Sequence, residues 1–545
     1  MNASVVCLVR GARPIRHDAR EVHGGRERLR FLPTAFPPSL VHRARTLTHA
    51  LPGSVNLAVR AYESASDKAQ HAAADDARRA LTDLAREVWT LHERGALERP
   101  DAPASERARV LYLRGRLLEA VGVVRDAKGA RSEGDDRLGV ADSTETSDLA
   151  KLESSSRETL ARDSAEDLLK RAAKLDPGLD GAWLTLAQTL WKKNDLAGAR
   201  HCYDAVLARG TPHKKALCAA SMLCRSLAKS RADPGSDAQK ALVAESLKLA
   251  KDAVRLDVDD GHAWYQVGTA TMSVFFARGA TDKALLLTAL KAYENAEKGG
   301  PTGAGARDPE KHMRDHPDVH FNRAVVCRYV ERYGEALAGF AEAARLDPAL
   351  PTKSEVDAVL AALARLDDGC RGAGASGRKP KRAAAIARSL REEEDTLRER
   401  GGGGESVVYE GTSYATKRVV DLQTGANAGS AVRARAVADA TANKQTLDGG
   451  VSGSETLGAL NLHYVAVDAA GDVFAISVYG LEDGAVRMSS TLTLLNPDVR
   501  DVDVTWNGRR YQFRLVRVDL PKQILVGGKM PVGRIARPRM ASTNV

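Results

Sequence analysis

At 545 residues, 43% hydrophobic and 28% charged, the chain is long enough for two or three domains, and it contains no apolar run of about 18 residues that would indicate a membrane span. Its formal net charge of +10 and pI near 9.2 favour an anionic partner such as nucleic acid. Six scattered cysteines (Cys7, Cys202, Cys218, Cys224, Cys327 and Cys370) form no Cys-x-x-Cys pair, which suits a reduced compartment better than a disulfide-built secreted fold.

Residues 1–53 carry many arginines and few acids, as in "VRGARPIRHDAREVHGGRERLR". They lack the serine enrichment of an organelle transit peptide and read as a disordered extension or as the product of a start codon placed too early. Helical periodicity then begins. Residues 54–366 are expected to form an all-α solenoid, opened by a cap from about Asn56 to Glu98 and by the helix "RARVLYLRGRLLEA". A polar stretch rich in Ser, Asp, Glu and Arg, about 122–163, cannot bury enough apolar surface to order itself and is expected to be a disordered insertion.

After it, spacing repeats. Ala165, Leu169 and Ala172 lead to Pro177 and then to Trp183, Leu186 and Ala187, the roughly 34-residue tetratricopeptide register. Ser246, Ala250 and Ala253 keep the same offsets to Val258, which replaces the proline, and to Trp264, Val267 and Gly268. In the third copy Ala336, Phe340, Ala343 and Pro348 are in register, and His320 stands at the tryptophan position. Ala199-Tyr203-Val206 and Ala289-Tyr293-Ala296 mark further second helices. Stacked repeats of this kind bury their apolar faces on one another and leave a concave groove. Helical register counted from Trp264 points His262, Tyr265 and Gln266 into that groove, and places Asp318 and Asn322 one turn apart on its wall. Arg225, in "SMLCRSL", falls late in the first helix of an intermediate repeat. An Arg and an Asp beside Tyr and an amide suit an extended peptide carrying both charge signs. A clamp for a C-terminal carboxylate is disfavoured, because Gly181 and Thr185 stand where Lys and Asn would be needed.

Residues 367–404 are expected to hold a flexible basic linker, "DDGCRGAGASGRKPKR", and a charged helix, "AAAIARSLREEEDTLRER". From 405 to 545 the pattern alternates at period two, with a hairpin turn at Asn507-Gly508, which predicts an all-β domain built as a five-stranded barrel. Bases gather in the linker (Arg378, Lys379, Lys381, Arg382) and in the tail, where Arg509, Arg510, Arg514, Arg517, Lys522, Lys529, Arg534, Arg537 and Arg539 face one acid, Asp519. Both clusters look like phosphate contacts, and the linker could equally serve as a nuclear import signal. His312, His316 and His320 recur at four-residue intervals, but Pro317 breaks the face and no Cys supports it, so no metal site is expected. No Gly-x-Ser-x-Gly, His-Glu-x-x-His or phosphate loop occurs, and neither catalysis nor a cofactor is expected.

The stretches "AEDLLKRAAKLDP", "LWKKNDLAGARHCY", "SMLCRSL", "LDVDDGHAWYQVG", "HPDVHFNRA", "YGEALAGFAEAARLDP", "LQTGANAGS" and "FRLVRV" together resemble the tetratricopeptide repeat protein 5 (Strap) family. The resemblance implies a C-terminal OB-fold and a non-enzymatic adaptor on the translating ribosome. Such an adaptor recognises the Met-Arg-Glu start of nascent tubulins and brings about decay of their mRNA through a decay adaptor and a deadenylase complex. It implies a cytoplasmic and also nuclear protein without membrane contact, and a second role as a stress-responsive transcription cofactor. By the same resemblance Arg225 pairs with the nascent Glu, Asp318 receives the nascent Arg, and Lys379 and Lys381 with the bases around them meet ribosomal RNA. A further acidic groove residue of the family falls at Thr352 here, with Glu355 as a substitute nearby.

Overall fold

The computed structural model describes residues 103–116, 118, 164–210, 212–230, 232–233, 235–308, 311–374, 380–399, 406–441, 461–488 and 490–531. The Arg-rich extension, the N-terminal cap and the 122–163 insertion lie outside the described residues. The chain divides into two compact units between Leu223 and Cys224.

The first unit holds α1 (104–116), α2 (Ala165–Leu175), α3 (Asp180–Lys192), α4 (Leu196–Leu207) and the start of α5 (Lys214–Ser230). Ser164 opens α2 with a capping box. Its Oγ accepts from the Asp167 N–H at 3.2 Å, while the Asp167 carboxylate accepts from the Ser164 N–H at 3.4 Å, so that two otherwise unpaired donors are satisfied. Leu168, Leu169, Ala172 and Ala173 form the buried stripe of α2. The helix stops before Pro177, which has no N–H with which to continue it. Trp183 of α3 then donates its ring N–H to the Pro177 carbonyl at 3.0 Å.

The second unit carries the rest of α5, then α6 (Asp237–Leu256), α7 (Gly261–Ala277), α8 (Lys283–Lys298), α9 (Pro317–Tyr329), α10 (Tyr333–Leu346), α11 (Thr352–Ala373) and α12 (Pro380–Glu399). The ring-to-carbonyl bond recurs. Trp264 Nε1 donates to Val258 O at 2.8 Å, and His320 Nε2, carrying the proton, meets Arg314 O at 2.7 Å. The position selects a ring N–H six residues after a carbonyl, so Val258 can replace proline and histidine can replace tryptophan. Within the pairs, Ala250, Ala289 and Ala336 are fully buried, and a Cβ on Gly268 would fall 2.6 Å from the Tyr293 ring. Three first helices exit through a left-handed residue: Asn194, Ala280 and Glu331 have φ of 62°, 55° and 61°. That conformation costs a non-glycine residue about 1 kcal/mol.

A β half-barrel follows: β1 (Ser406–Tyr409), β2 (Thr412–Thr416), β3 (Gly425–Ala426), β4 (Ser430–Asp439), β5 (Asn461–Asp468), β6 (Val473–Tyr479), β7 (Thr491–Leu495), β8 (Asp498–Trp506), β9 (Arg509–Val518) and β10 (Ile524–Val526). The strands join in the order β1-β2-β4-β5-β6-β9-β8-β3, while β7 pairs with β4 and carries β10. Among the described residues this is a ten-stranded sheet rather than the five-stranded barrel expected. Strands as short as β3 and β10 leave no visible alternation in a sequence. The β8–β9 turn is the hairpin read from Asn507-Gly508, whose φ values of 49° and 78° suit a type I′ turn. Val432, Tyr464, Phe474, Ile476, Leu492 and Val516 fill the half-barrel's own core.

A second core is shared. Phe275, Phe276, Tyr329, Leu363 and Leu366 of the helices pack in one cluster with Tyr479, Val502, Phe513 and Leu515 of the strands. Helix α11 runs on to Ala373, beyond the point where a flexible linker was expected. Asp367 is buried and accepts from the Gln512 N–H at 3.0 Å, and Gly369 allows the close approach, since a Cβ there would lie 2.6 Å from Val465 Cγ2. Helix α12 lies on β4 and β5, with Ala383, Ala387 and Leu390 buried. The half-barrel is therefore fused to the last repeats, not tethered at the end of a linker as expected.

One polar cluster sits across that junction. Glu331, buried in its left-handed turn, accepts from Ser477 Oγ and from Tyr479 Oη at 3.1 Å, and faces Arg517 at 3.5 Å and Arg500 at 3.7 Å. Arg517 also donates to Tyr329 O and to Asp519, each at 2.6 Å, and Arg500 donates to Val330 O.

A candidate peptide groove and a basic helix

Three helices converge on Arg225. From α5 its Nη2 donates to Gln266 Oε1 on α7 at 2.7 Å, and its Nη1 to Ser246 Oγ on α6 at 3.2 Å. Beside Gln266, Tyr265 accepts from Asn322 Nδ2 on α9 at 2.9 Å, and its ring packs against Tyr293 at 5.9 Å between centroids. Asp318 lies one turn before Asn322, half-buried in the first turn of α9. Burial first, then Tyr293 and the Asp318 carboxylate, push the Tyr265 phenol well above its usual range, while Arg225 opposes the shift. Arg225 and Asp318 thus act on one side chain with opposite signs.

The five residues proposed for the groove are brought together, but not all as open surface. Tyr265, Gln266 and Asn322 are 5%, 8% and 8% exposed, and their polar groups bond to other members of the set or to Arg225. His262 is exposed, with its ring edge-on to His316 at 5.2 Å. Thr352 and Glu355 are both buried on α11, and the Glu355 carboxylate takes an ion pair from Arg328 of α9. That pair was not legible beforehand, since Arg328 follows no motif; its only signal is the helical register it shares with Asp318 and Asn322.

Of the proposed RNA-binding bases, Arg378 and Lys379 lie outside the described residues. Lys381 and Arg382 are exposed in the first turn of α12, and Arg388 and Arg391 are exposed further along it. The first turn holds no acid, so these bases add to the positive end of the helix dipole. Of the nine tail bases expected to meet phosphate, Lys522 and Lys529 are exposed, Arg534, Arg537 and Arg539 lie outside the described residues, and the other four are paired with acids. Arg509 pairs with Asp368, Arg510 with Asp503, Arg514 with Asp501, and Arg517 is 3% exposed among Glu331 and Asp519. Apart from Asp519, these acids lie outside the tail, where a count of the tail could not find them.

His320 is occupied by the Arg314 carbonyl, and among the described residues no group of three or more His, Cys, Asp or Glu is placed to hold a metal. Burial pushes the Cys202 and Cys327 thiols up to about 11, so they behave as small hydrophobes. No helix among the described residues is long and apolar enough to cross a membrane.

Residues 413–537 match the family model of the tetratricopeptide repeat protein 5 OB fold domain, and residues 161–220 match a tetratricopeptide-repeat model. Tetratricopeptide repeat protein 5 of Mus musculus is 32% identical over 368 residues, covering 67% of this chain and 76% of the relative. The Homo sapiens protein of the same name is 31% identical over 371 residues, with the same coverage. Among solved structures, a thermophilic tetratricopeptide-repeat protein of Thermus thermophilus is 22% identical, covering 37% of this chain and 93% of its own, with a TM-score of 0.28.

Proposed function

The chain belongs to the tetratricopeptide repeat protein 5 family, and from that premise we propose that its groove receives the Met-Arg-Glu start of nascent tubulins while its basic helix seats it on the translating ribosome. The repeat scaffold and the relatives point to an adaptor rather than an enzyme. In this reading Arg225 takes the nascent Glu, Asp318 takes the nascent Arg, and Lys379, Lys381 and their neighbours contact ribosomal RNA. The occupied adaptor then recruits a decay adaptor and deadenylase complex to the tubulin mRNA in the cytoplasm.

What supports this reading is that Arg225, bonded to Gln266, and Asp318, one turn before the Asn322 that bonds Tyr265, bear on the Tyr265 side chain with opposite signs. A short peptide with adjacent Arg and Glu side chains matches two fixed charges of opposite sign better than one of uniform charge. Titration of a Met-Arg-Glu peptide tests it. Arg225→Ala removes a charge-assisted bond worth roughly 1.5 to 3 kcal/mol, a loss of about ten- to a hundredfold in affinity. Unchanged affinity would remove Arg225, and the reading with it.

A further inference from the structure

The second helices of the repeats have a small residue at one recurring position: Ala199, Ala289 and Ala336 occupy it in α4, α8 and α10, each fully buried. In α6 the equivalent residue is Ser246, also 0% exposed. Packing does not ask for a hydroxyl there, since alanine fills the same place in three other repeats. The added oxygen accepts from Arg225 Nη1 at 3.2 Å, and Gln266 Oε1 accepts from Nη2 at 2.7 Å. Two N–H groups on different nitrogens are therefore directed at acceptors on two different helices. Together they fix the plane and depth of a guanidinium that would otherwise sample many rotamers.

We propose that Ser246 and Gln266 are positioning residues that preorganise Arg225 for a carboxylate of the bound peptide. This rests on the peptide reading above and deepens it, by naming what makes the groove selective for Glu over its uncharged isostere. A neutral acceptor orients the cation without cancelling its charge, which is the property a ligand carboxylate needs. An acidic residue in the place of Gln266 would hold Arg225 more tightly and defeat its purpose.

The test is a titration of the full chain with two synthetic peptides beginning Met-Arg-Glu and Met-Arg-Gln. Ser246→Ala should weaken the Glu peptide by roughly three- to tenfold and leave the Gln peptide unchanged. Because alanine is the natural residue at this position elsewhere in the chain, the variant should keep the parent's melting temperature. Gln266→Glu should weaken the Glu peptide more than Ser246→Ala does, by competing for the guanidinium. Equal loss for both peptides in Ser246→Ala means that the hydroxyl only supports packing and overturns the proposal. Loss on Arg225→Ala without loss on Ser246→Ala overturns the positioning role while leaving the groove reading standing. Indifference to Arg225→Ala overturns both.

Discussion

Asp318 and His463 show how one side chain can be tested for one role. Asp318→Lys reverses the charge proposed to meet the peptide's Arg, at a half-buried position that is not part of the packed core. Losing an acid from the first turn of α9 costs about 0.3 to 1 kcal/mol through the helix dipole. Binding of the Met-Arg-Glu peptide should therefore disappear while helicity by circular dichroism is retained. Parallel loss of both would make Asp318 structural. His463, buried on β5, is pushed down from 6.5 to about 4 by burial first, with Glu331 opposing and Arg365 assisting. In the unfolded chain it takes up its proton near the ordinary value. The folding stability held by the neutral ring is thus present above about pH 6.5 and is lost as pH falls toward about 4, by up to roughly 3 kcal/mol. Urea unfolding of His463→Asn against the parent should show a shallower decline through that window, and identical declines would refute the assignment. At this scale the sequence was legible where spacing is local: Trp183, Trp264 and His320 fall at one register position and make one kind of bond. It was illegible where partners are distant. Nothing near Arg517 announces Glu331, and nothing near Arg225 announces Ser246.

Among the elements, the turn between α9 and α10 carries the sharpest conflict between local and tertiary preference. Its left-handed residue is a glutamate, disfavoured locally and held by four groups of the half-barrel. Glu331→Ala leaves Arg517 buried without that carboxylate and should cost on the order of 3 to 5 kcal/mol. Glu331→Gly relieves the backbone and should recover about 1 kcal/mol of that loss. Denaturant titration of both variants checks the order; a glycine variant more stable than the parent would show that strain outweighs the clamp. The extent of α11 was hidden for a related reason. "DDGCRGA" has the composition of a linker, yet Asp367 and Gly369 are needed for a hydrogen bond and a close contact with strands far along the chain.

At the scale of the whole molecule, the proposed function joins a groove for a peptide to a helix that presents bases. Lys381→Glu with Arg382→Glu should leave peptide affinity unchanged, because neither belongs to the groove. In sedimentation, ribosome association should weaken, and the slope of log affinity against log salt should fall by about 0.7 to 0.9 for each phosphate that is no longer neutralised. Parent-like binding at every salt concentration would move those bases to another role, such as nuclear import.

The core shared by helices and strands, with Tyr329, Leu363 and Leu366 packed against Tyr479, Val502 and Phe513, makes the second unit a caliper. Its span does not depend on the length of chain between α11 and α12, because both helices are seated on the strands independently. Five Gly and Ser residues inserted after Gly374 should therefore alter neither the melting temperature of the second unit nor its affinity for the Met-Arg-Glu peptide. A molecule jointed by a loose tether would change in one or both with each residue added. Under the proposed function, the caliper would set the interval between an emerging N-terminus and the surface that made it, and a nascent chain too short to cross that interval would stay unread however well its first residues match.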